Sequence, residues 1–307
     1  LLRVFLGESR ADRKYNKSNA NRKNQLLEKQ LLRGVQMKEK TYETASGAIH
    51  YWVNIIDEDA VTLVFLPGLT LSHRLFDKQV EYFKGKYNLL AWDAPGHGAS
   101  WPFKFNFDMM DKARWLNEIL EQEKISKPVI VGHSIGGYLG QAYAELYPDK
   151  IKGFVAIDSG PSHKKYMTPG EIGMIKKMNF VSPSASWEMI TNVSAIGLAE
   201  SAYGRQIVKE MLQDYKDNEE RLSQVMDHGT RILGEAMEAD FAYDIPCAAL
   251  LICGEKDKLG LFIRYNKAWH KETGIPIEWI KDAGHNSNTD QPEIVNQLID
   301  DFVKNRV

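Results

Sequence analysis

Three residues of this chain combine a chemically useful side chain with neighbours able to display it. They are Ser134 in Gly132-His133-Ser134-Ile135-Gly136-Gly137, Asp257 in Gly254-Glu255-Lys256-Asp257, and His285 in Ala283-Gly284-His285-Asn286. A serine hydroxyl is a poor nucleophile until a base lies within hydrogen-bond reach. The surroundings of Ser134 are the most informative. An apolar run, Val129-Ile130-Val131, precedes it, and an amphipathic helical pattern follows until Pro148 stops it. Strand, tight turn and helix together make G-x-S-x-G a nucleophile elbow rather than a flexible Gly/Ser loop. Side chains two positions either side of the serine would strike the neighbouring strand and helix, hence Gly132 and Gly136. Gly137 lets the helix approach the sheet. The helix N-terminus beneath Ser134 offers free N–H groups and a positive dipole end to a developing oxyanion.

The elements that must position these residues alternate along the chain. Thr41 to Thr44 and Ile49 to Ile56 read as a hairpin around Ser46-Gly47. Val61 to Leu66 is a continuous apolar run, as expected of a strand buried on both faces, and ends at Pro67-Gly68-Leu69-Thr70. A helix over Asp77 to Phe83, a strand over Asn88 to Trp92, a helix over Asp108 to Glu123 and the strand before Ser134 follow. Ile151 to Ile157 is the next strand and ends at Asp158. Residues 162–240 are helical in pattern, rich in methionine and aromatics, with no convincing strand. The β pattern resumes with Ala248 to Cys253; a helix over Phe262 to Lys271, a strand over Ile275 to Ile280 and a helix from Pro292 to about Lys304 complete the chain. Strands separated by helices imply right-handed crossovers and a mostly parallel sheet. Ligands of such sheets bind beyond the carboxyl ends of the strands, where Leu69, Ser134, Asp257 and His285 fall.

Composition excludes several classes. With 307 residues, 43% hydrophobic content and a formal charge of −2, the chain suits one large α/β domain with an insertion, or two small domains, and gives no electrostatic case for nucleic acid. No apolar run approaches a transmembrane length. Cys247 and Cys253 flank one apolar run and make no disulfide framework, which fits a reducing cytoplasm. Residues 1–36 are strongly basic and poor in apolar periodicity. They read as a disordered tail rather than a basic arm for an acidic partner, with Met37 the expected natural start. The eight histidines include no His-x-x-x-His pair and the cysteines no C-x-x-C, so no metal is implied. No dinucleotide fingerprint is present, so no cofactor is expected.

Five pieces in order, Leu66 to Thr70, Trp92 to Ser100, Gly132 to Gly137, Gly254 to Asp257 and Ala283 to Asn288, make the chain resemble an α/β-hydrolase over nearly everything from Lys40 onward except the inserted region. The chain order Ser, acid, His is the family's own. Many members carry His-Gly where this chain has Pro67-Gly68. The resemblance implies an α/β-hydrolase fold over residues 37–161 and 241–307, with a helical cap over 162–240. Ser134 is then the nucleophile and His285 the base, with Asp257 fixing the imidazole tautomer. Leu69 and Ile135 supply the oxyanion N–H groups. Asp158, at the end of the strand after the elbow, is the alternative acid. His97 and Asp93 brace their own loop, and His133 faces away from Ser134. Met167, Met174, Met178, Phe180, Trp187 and Met189 form the core of the cap, and some are expected to line an apolar pocket over the site. Gly170, Gly173 and Pro183 are candidate hinges. The leading expectation is hydrolysis of a small to medium apolar ester through an acyl-serine. Amide or C–C cleavage by the same triad, or ligand binding on a hydrolase scaffold, are the alternatives. Dehalogenation would need a carboxylate at position 134. Oligomeric state is not fixed by the sequence.

Overall fold

The computed structural model describes residues 36–177, 186–240, 245–259 and 261–307. The basic extension up to residue 35, and Met178, Phe180 and Pro183, lie outside them. Eight strands form one sheet: β1 (Lys38–Thr44), β2 (Gly47–Asn54), β3 (Thr62–Leu66), β4 (Asn88–Trp92), β5 (Val129–His133), β6 (Gly153–Ile157), β7 (Ala248–Gly254) and β8 (Ile277–Ile280). Their spatial order is β1-β2-β4-β3-β5-β6-β7-β8. The β1–β2 and β2–β4 pairs are antiparallel, and every other pair is parallel. The expected α/β architecture with a mostly parallel sheet is therefore present.

The helices are α1 (Asp77–Phe83), α2 (Met109–Gln122), α3 (Ile135–Leu146), α4 (Pro169–Lys176), α5 (Trp187–Leu198), α6 (Ala202–Leu212), α7 (Glu219–Ala239), α8 (Leu261–Thr273), α9 (Ser287–Asp290) and α10 (Pro292–Arg306). Helices α2, α3 and α8 pack on one face of the sheet, through residues such as Leu116, Tyr138 and Trp269. Helices α1 and α10 cover the other through Phe83, Ile299 and Phe302. Helices α4 to α7 form the insert between β6 and β7.

Every residue of β3, β4, β5 and β6 is buried, which is why they read as unbroken apolar runs. Each fully buried large apolar side chain contributes roughly 1.5–3 kcal/mol. An exposed pair such as Lys165 with Glu272, both about half exposed, contributes about 0–1 kcal/mol. Strand burial, not surface charge, therefore fixes the frame that carries the site.

Strand β2, expected over Ile49 to Ile56, spans Gly47–Asn54, other elements shift by a residue or two at their ends, and three strand starts move for a clear local reason. Strand β1 begins at Lys38, because its whole length pairs with β2. Strand β6 begins at Gly153 rather than Ile151, because Pro148–Lys150 coil into a 3-10 turn. Strand β8 begins at Ile277 rather than Ile275, because Pro276 has no N–H to give the ladder and Ile275 is held by the His270 ring and the Thr273 hydroxyl. Helix α2 opens on a reciprocal capping box between Asp108 and Asp111, and α4 on one between Thr168 and Glu171.

Candidate active site

Strand β5 ends one residue before Ser134, and α3 begins one residue after it. Ser134 sits at φ 51°, ψ −122°, a left-handed conformation for a non-glycine residue. Such a backbone costs on the order of 1–3 kcal/mol and persists only where its surroundings over-determine it. Here they do. The Ser134 N–H donates to the Ile157 carbonyl at 2.9 Å, and the Ser159 hydroxyl donates to the Ser134 carbonyl at 2.8 Å. A Cβ on Gly136 would lie 2.0 Å from the Leu66 carbonyl oxygen, and one on Gly132 2.4 Å from the Gly136 carbonyl oxygen. Both clashes are with backbone, so both positions exclude any larger residue.

At the neighbouring strand ends, His285 Nδ1 donates to Asp257 Oδ2 at 2.9 Å, with both side chains buried. The second Asp257 oxygen accepts the Leu259 N–H at 2.8 Å. Burial alone would lower the pKa of His285, but the Asp257 charge and hydrogen bond outweigh it and raise it. Burial would likewise raise Asp257, yet the imidazolium and the Leu259 amide hold it below the usual carboxylate value. With Nδ1–H committed to Asp257, Nε2 is the nitrogen free to exchange a proton. The Phe262 ring packs 5.2 Å from the imidazole, centroid to centroid. The two loops fit closely: a Cβ on Gly254 would lie 2.0 Å from the Gly284 carbonyl oxygen.

His285 also reaches the elbow. The rings of His133 and His285 are 5.1 Å apart, and His133 Nε2 donates to the His285 carbonyl at 2.8 Å. Burial and the nearby His285 charge push His133 down to about 3, so it stays neutral. Its Nδ1 lies 2.7 Å from where a Cβ on Gly68 would be. One buried imidazole thus touches the first loop, the elbow and the His285 loop, a bracing role that the sequence reading did not give it.

Asp158, weighed as the alternative acid, does not bond the imidazole. Its Oδ1 accepts the Gly254 N–H at 2.7 Å and its Oδ2 the Ser287 N–H at 2.8 Å. It is fully buried at φ 46°. Burial and the adjacent Asp257 charge push it up to about 7. Its two bonds tie the end of β7, which leads to Asp257, to the residue two after His285. Asp93 accepts from the His73 ring and main chain through one oxygen and from the Ala99 N–H through the other, and His97 Nδ1 donates to the Pro95 carbonyl at 3.1 Å. Both brace the loop after β4, and Asp93 also binds the start of the chain's first helical turn.

Gly68, Leu69 and Ile135 line one small cavity with Phe107, Lys112 and His228. Its roof is α7, where a Cβ on Gly229 would lie 2.2 Å from Leu69 Cδ1. Among the described residues, the wall facing the elbow loops comes from α7, and Met167, Met174, Trp187 and Met189 do not line it. Met174 and Met189 are more than half exposed, and Met167 is buried away from this cavity. The candidate hinges Gly170 and Gly173 sit inside α4. His228, which donates Nε2–H to the Phe107 carbonyl at 2.9 Å, and Lys112 gave no sequence signal, because each sits on an ordinary amphipathic helix. No cluster of three metal-binding side chains occurs among the described residues, and no helix among them is long and apolar enough to cross a membrane.

A profile described as "alpha/beta hydrolase fold" matches residues 61–197. An (E)-2-((N-methylformamido)methylene)succinate hydrolase of Acinetobacter baylyi is 21% identical over 77% of this chain and 88% of its own. A 3-oxoadipate enol-lactonase of the same organism is 21% identical over 80% of this chain and 90% of its own. The solved structure of 2-hydroxy-6-oxo-6-phenylhexa-2,4-dienoate hydrolase from Rhodococcus sp. strain RHA1 superposes with a TM-score of 0.71 at 15% identity, covering 88% of this chain and 99% of its own. The elbow, the strand order and these similarities agree: the chain has the alpha/beta hydrolase fold.

Proposed function

We propose that this protein is a serine hydrolase that cleaves carboxylic esters through an acyl-serine intermediate. The observation that carries the reading is the buried 2.9 Å contact between His285 Nδ1 and Asp257 Oδ2 beside a serine held at φ 51°. Ser134 Oγ attacks the ester carbonyl carbon while His285 Nε2 takes its proton. The resulting oxyanion is received by the N–H groups of Ile135, in the first turn of α3, and Leu69. Losing one such donor typically costs about 3 kcal/mol of transition-state stabilisation. Collapse of the tetrahedral species expels the alcohol with the proton from His285. Water then enters by the reverse path and releases the acid. Asp257 holds the tautomer and the imidazolium, and Asp158 holds the two loops that carry Asp257 and His285. Residues 37–161 and 241–307 form the catalytic core in this reading, and 162–240 the cap that meets a small-molecule substrate. The free Cys247 and Cys253 support a reducing compartment such as the cytoplasm.

An enol-lactonase among the relatives supports ester chemistry. Their names also include a dienoate hydrolase and a formamido-methylene-succinate hydrolase, which makes C–C or amide cleavage by the same three groups the second reading. Labelling by a fluorophosphonate and turnover of p-nitrophenyl butyrate test the proposal. Both are expected in the native protein and absent in Ser134→Ala. A folded protein that neither reacts with the probe nor turns over esters would leave a binding protein instead.

A further inference from the structure

The cavity under α7 adjoins the two residues assigned to the oxyanion, yet its polar groups take no part in the chemistry above. Lys112 is 4% exposed, and no carboxylate or carbonyl partner for its ammonium is found among the described residues. Burial lowers it to about 8, so it remains largely protonated at neutral pH. An unpaired buried cation is costly unless something else in the site compensates it. Asp93, whose charge reaches His97, is already engaged by His73 and the Ala99 amide.

The two histidines beside Lys112 have their tautomers fixed by main-chain carbonyls. His97 spends Nδ1–H on Pro95, so its Nε2, buried and without a hydrogen-bond partner, is a lone-pair acceptor. His228 spends Nε2–H on Phe107, which leaves Nδ1 as its acceptor. Both rings remain neutral, with His97 held at about 3 and His228 at about 4, chiefly by burial and then, among other charges, by that of Lys112. The side chains that line the cavity therefore include one donor-only group and two imidazoles whose second nitrogen can only accept. The cavity's free volume is about 10 Å³, the room of a single water molecule.

A carboxylate has no proton to give the two lone pairs, and an alkyl group satisfies none of the three. A hydroxyl accepts from the ammonium, donates to an imidazole and has the right size. We propose that this cavity is a specificity subsite for a hydroxyl on the acyl part of the substrate, held between Lys112 and the imidazoles of His97 and His228, so that the preferred substrates are esters of short hydroxy acids. This deepens the ester-hydrolase reading and rests on it. Leu69 and Ile135, whose amides are assigned to the oxyanion, line the same cavity and place it beside the reacting carbonyl.

The test compares p-nitrophenyl esters of 2-hydroxybutyrate, 3-hydroxybutyrate and butyrate. At least one hydroxyacyl ester is expected to have a kcat/KM about tenfold or more above butyrate, since a polar site built for a hydroxyl discriminates against its absence. Lys112→Met is expected to shrink that ratio about tenfold. Equal rates for all three esters in the native protein would overturn the proposal, with no need for a folded variant. So would a preference for the hemisuccinate ester, which would make the site anionic in its selectivity. Calorimetric binding of ethyl 3-hydroxybutyrate, ethyl 2-hydroxybutyrate and ethyl butyrate to Ser134→Ala separates the two layers of inference. Tighter binding of a hydroxylated ester supports the subsite even if no ester is ever turned over, and equal affinities sink it even if the esterase reading stands.

Discussion

The elbow and the first two helices of the insert, α4 and α5, use glycine in opposite ways. At the elbow, Gly132, Gly136 and Gly137 each face another part of the chain so closely that a methyl group would lie 2.0 to 2.4 Å from it. In the insert, Gly170, Gly173 and Gly197 lie inside helices with nothing within 4 Å of an added Cβ. The first set is dictated by packing. The second is a cost in helix propensity, about 1 kcal/mol per residue against alanine, that no contact in the structure requires. Exposed apolar side chains show the same split. Met189, Val193 and Ile196 stand at least half exposed along one side of α5, whereas β5 exposes none. The fold concentrates its constraint at the elbow and leaves α4 and α5 loosely specified, whereas Gly229 of α7 is as tightly enclosed as the elbow glycines.

The contrast can be broken or sharpened by measurement. Replacing Ser134 with Ala is expected to lower kcat for p-nitrophenyl butyrate by about 10⁶ while leaving the melting temperature near that of the native protein. Asp257→Asn should lower kcat by about 10⁴, because the amide stabilises the wrong tautomer of His285. Gly136→Ala should destabilise the fold by more than about 3 kcal/mol in a urea melt, since the clash is with the Leu66 main chain and no rotamer relieves it. A stable Gly136→Ala protein would abolish the distinction drawn above.

The pH dependence probes the same rigid corner. His285 acts as base only when neutral, and its pKa is raised, so the acid limb of kcat/KM should have its midpoint above 6.5, the ordinary imidazole value. Asp158 contributes to that elevation through its charge, so Asp158→Asn should move the midpoint downward as well as loosen both loops. A midpoint that stays put would limit Asp158 to a structural part. The smallest effect belongs to the insert: Gly173→Ala is expected to stabilise the protein by about 0.5–1 kcal/mol with no change in turnover. A loss of activity there would show that α4 has to bend.

Much of the fold was legible because its strands are buried on both faces. An unbroken apolar run such as Asn88 to Trp92 admits few other readings, and the predicted and observed limits of that strand coincide. The elbow was legible because strain, glycines and flanking elements leave a joint signature in adjacent residues. Pairing across the chain was harder. Asp158 and Asp257 both end strands next to His285, and nothing in composition or spacing says which carboxylate faces the ring. The 2.9 Å contact distinguishes them only in three dimensions. The wall of the cavity was missed for a related reason. Methionine content drew attention to α4 and α5, but among the described residues the wall is made by His228, Gly229 and Ile232 of α7. Amphipathic periodicity gives the buried side of a helix and is silent on what it meets.

The seat of Leu69 against Gly229 carries a consequence for kinetics. The residue whose amide is assigned to the developing negative charge is wedged directly under the covering helix, so whatever lifts that helix also disturbs the amide. An oversized acyl chain could then still dock yet find the charge-receiving pair out of register. Such compounds would look like good binders and poor reactants, their penalty written in kcat rather than in KM.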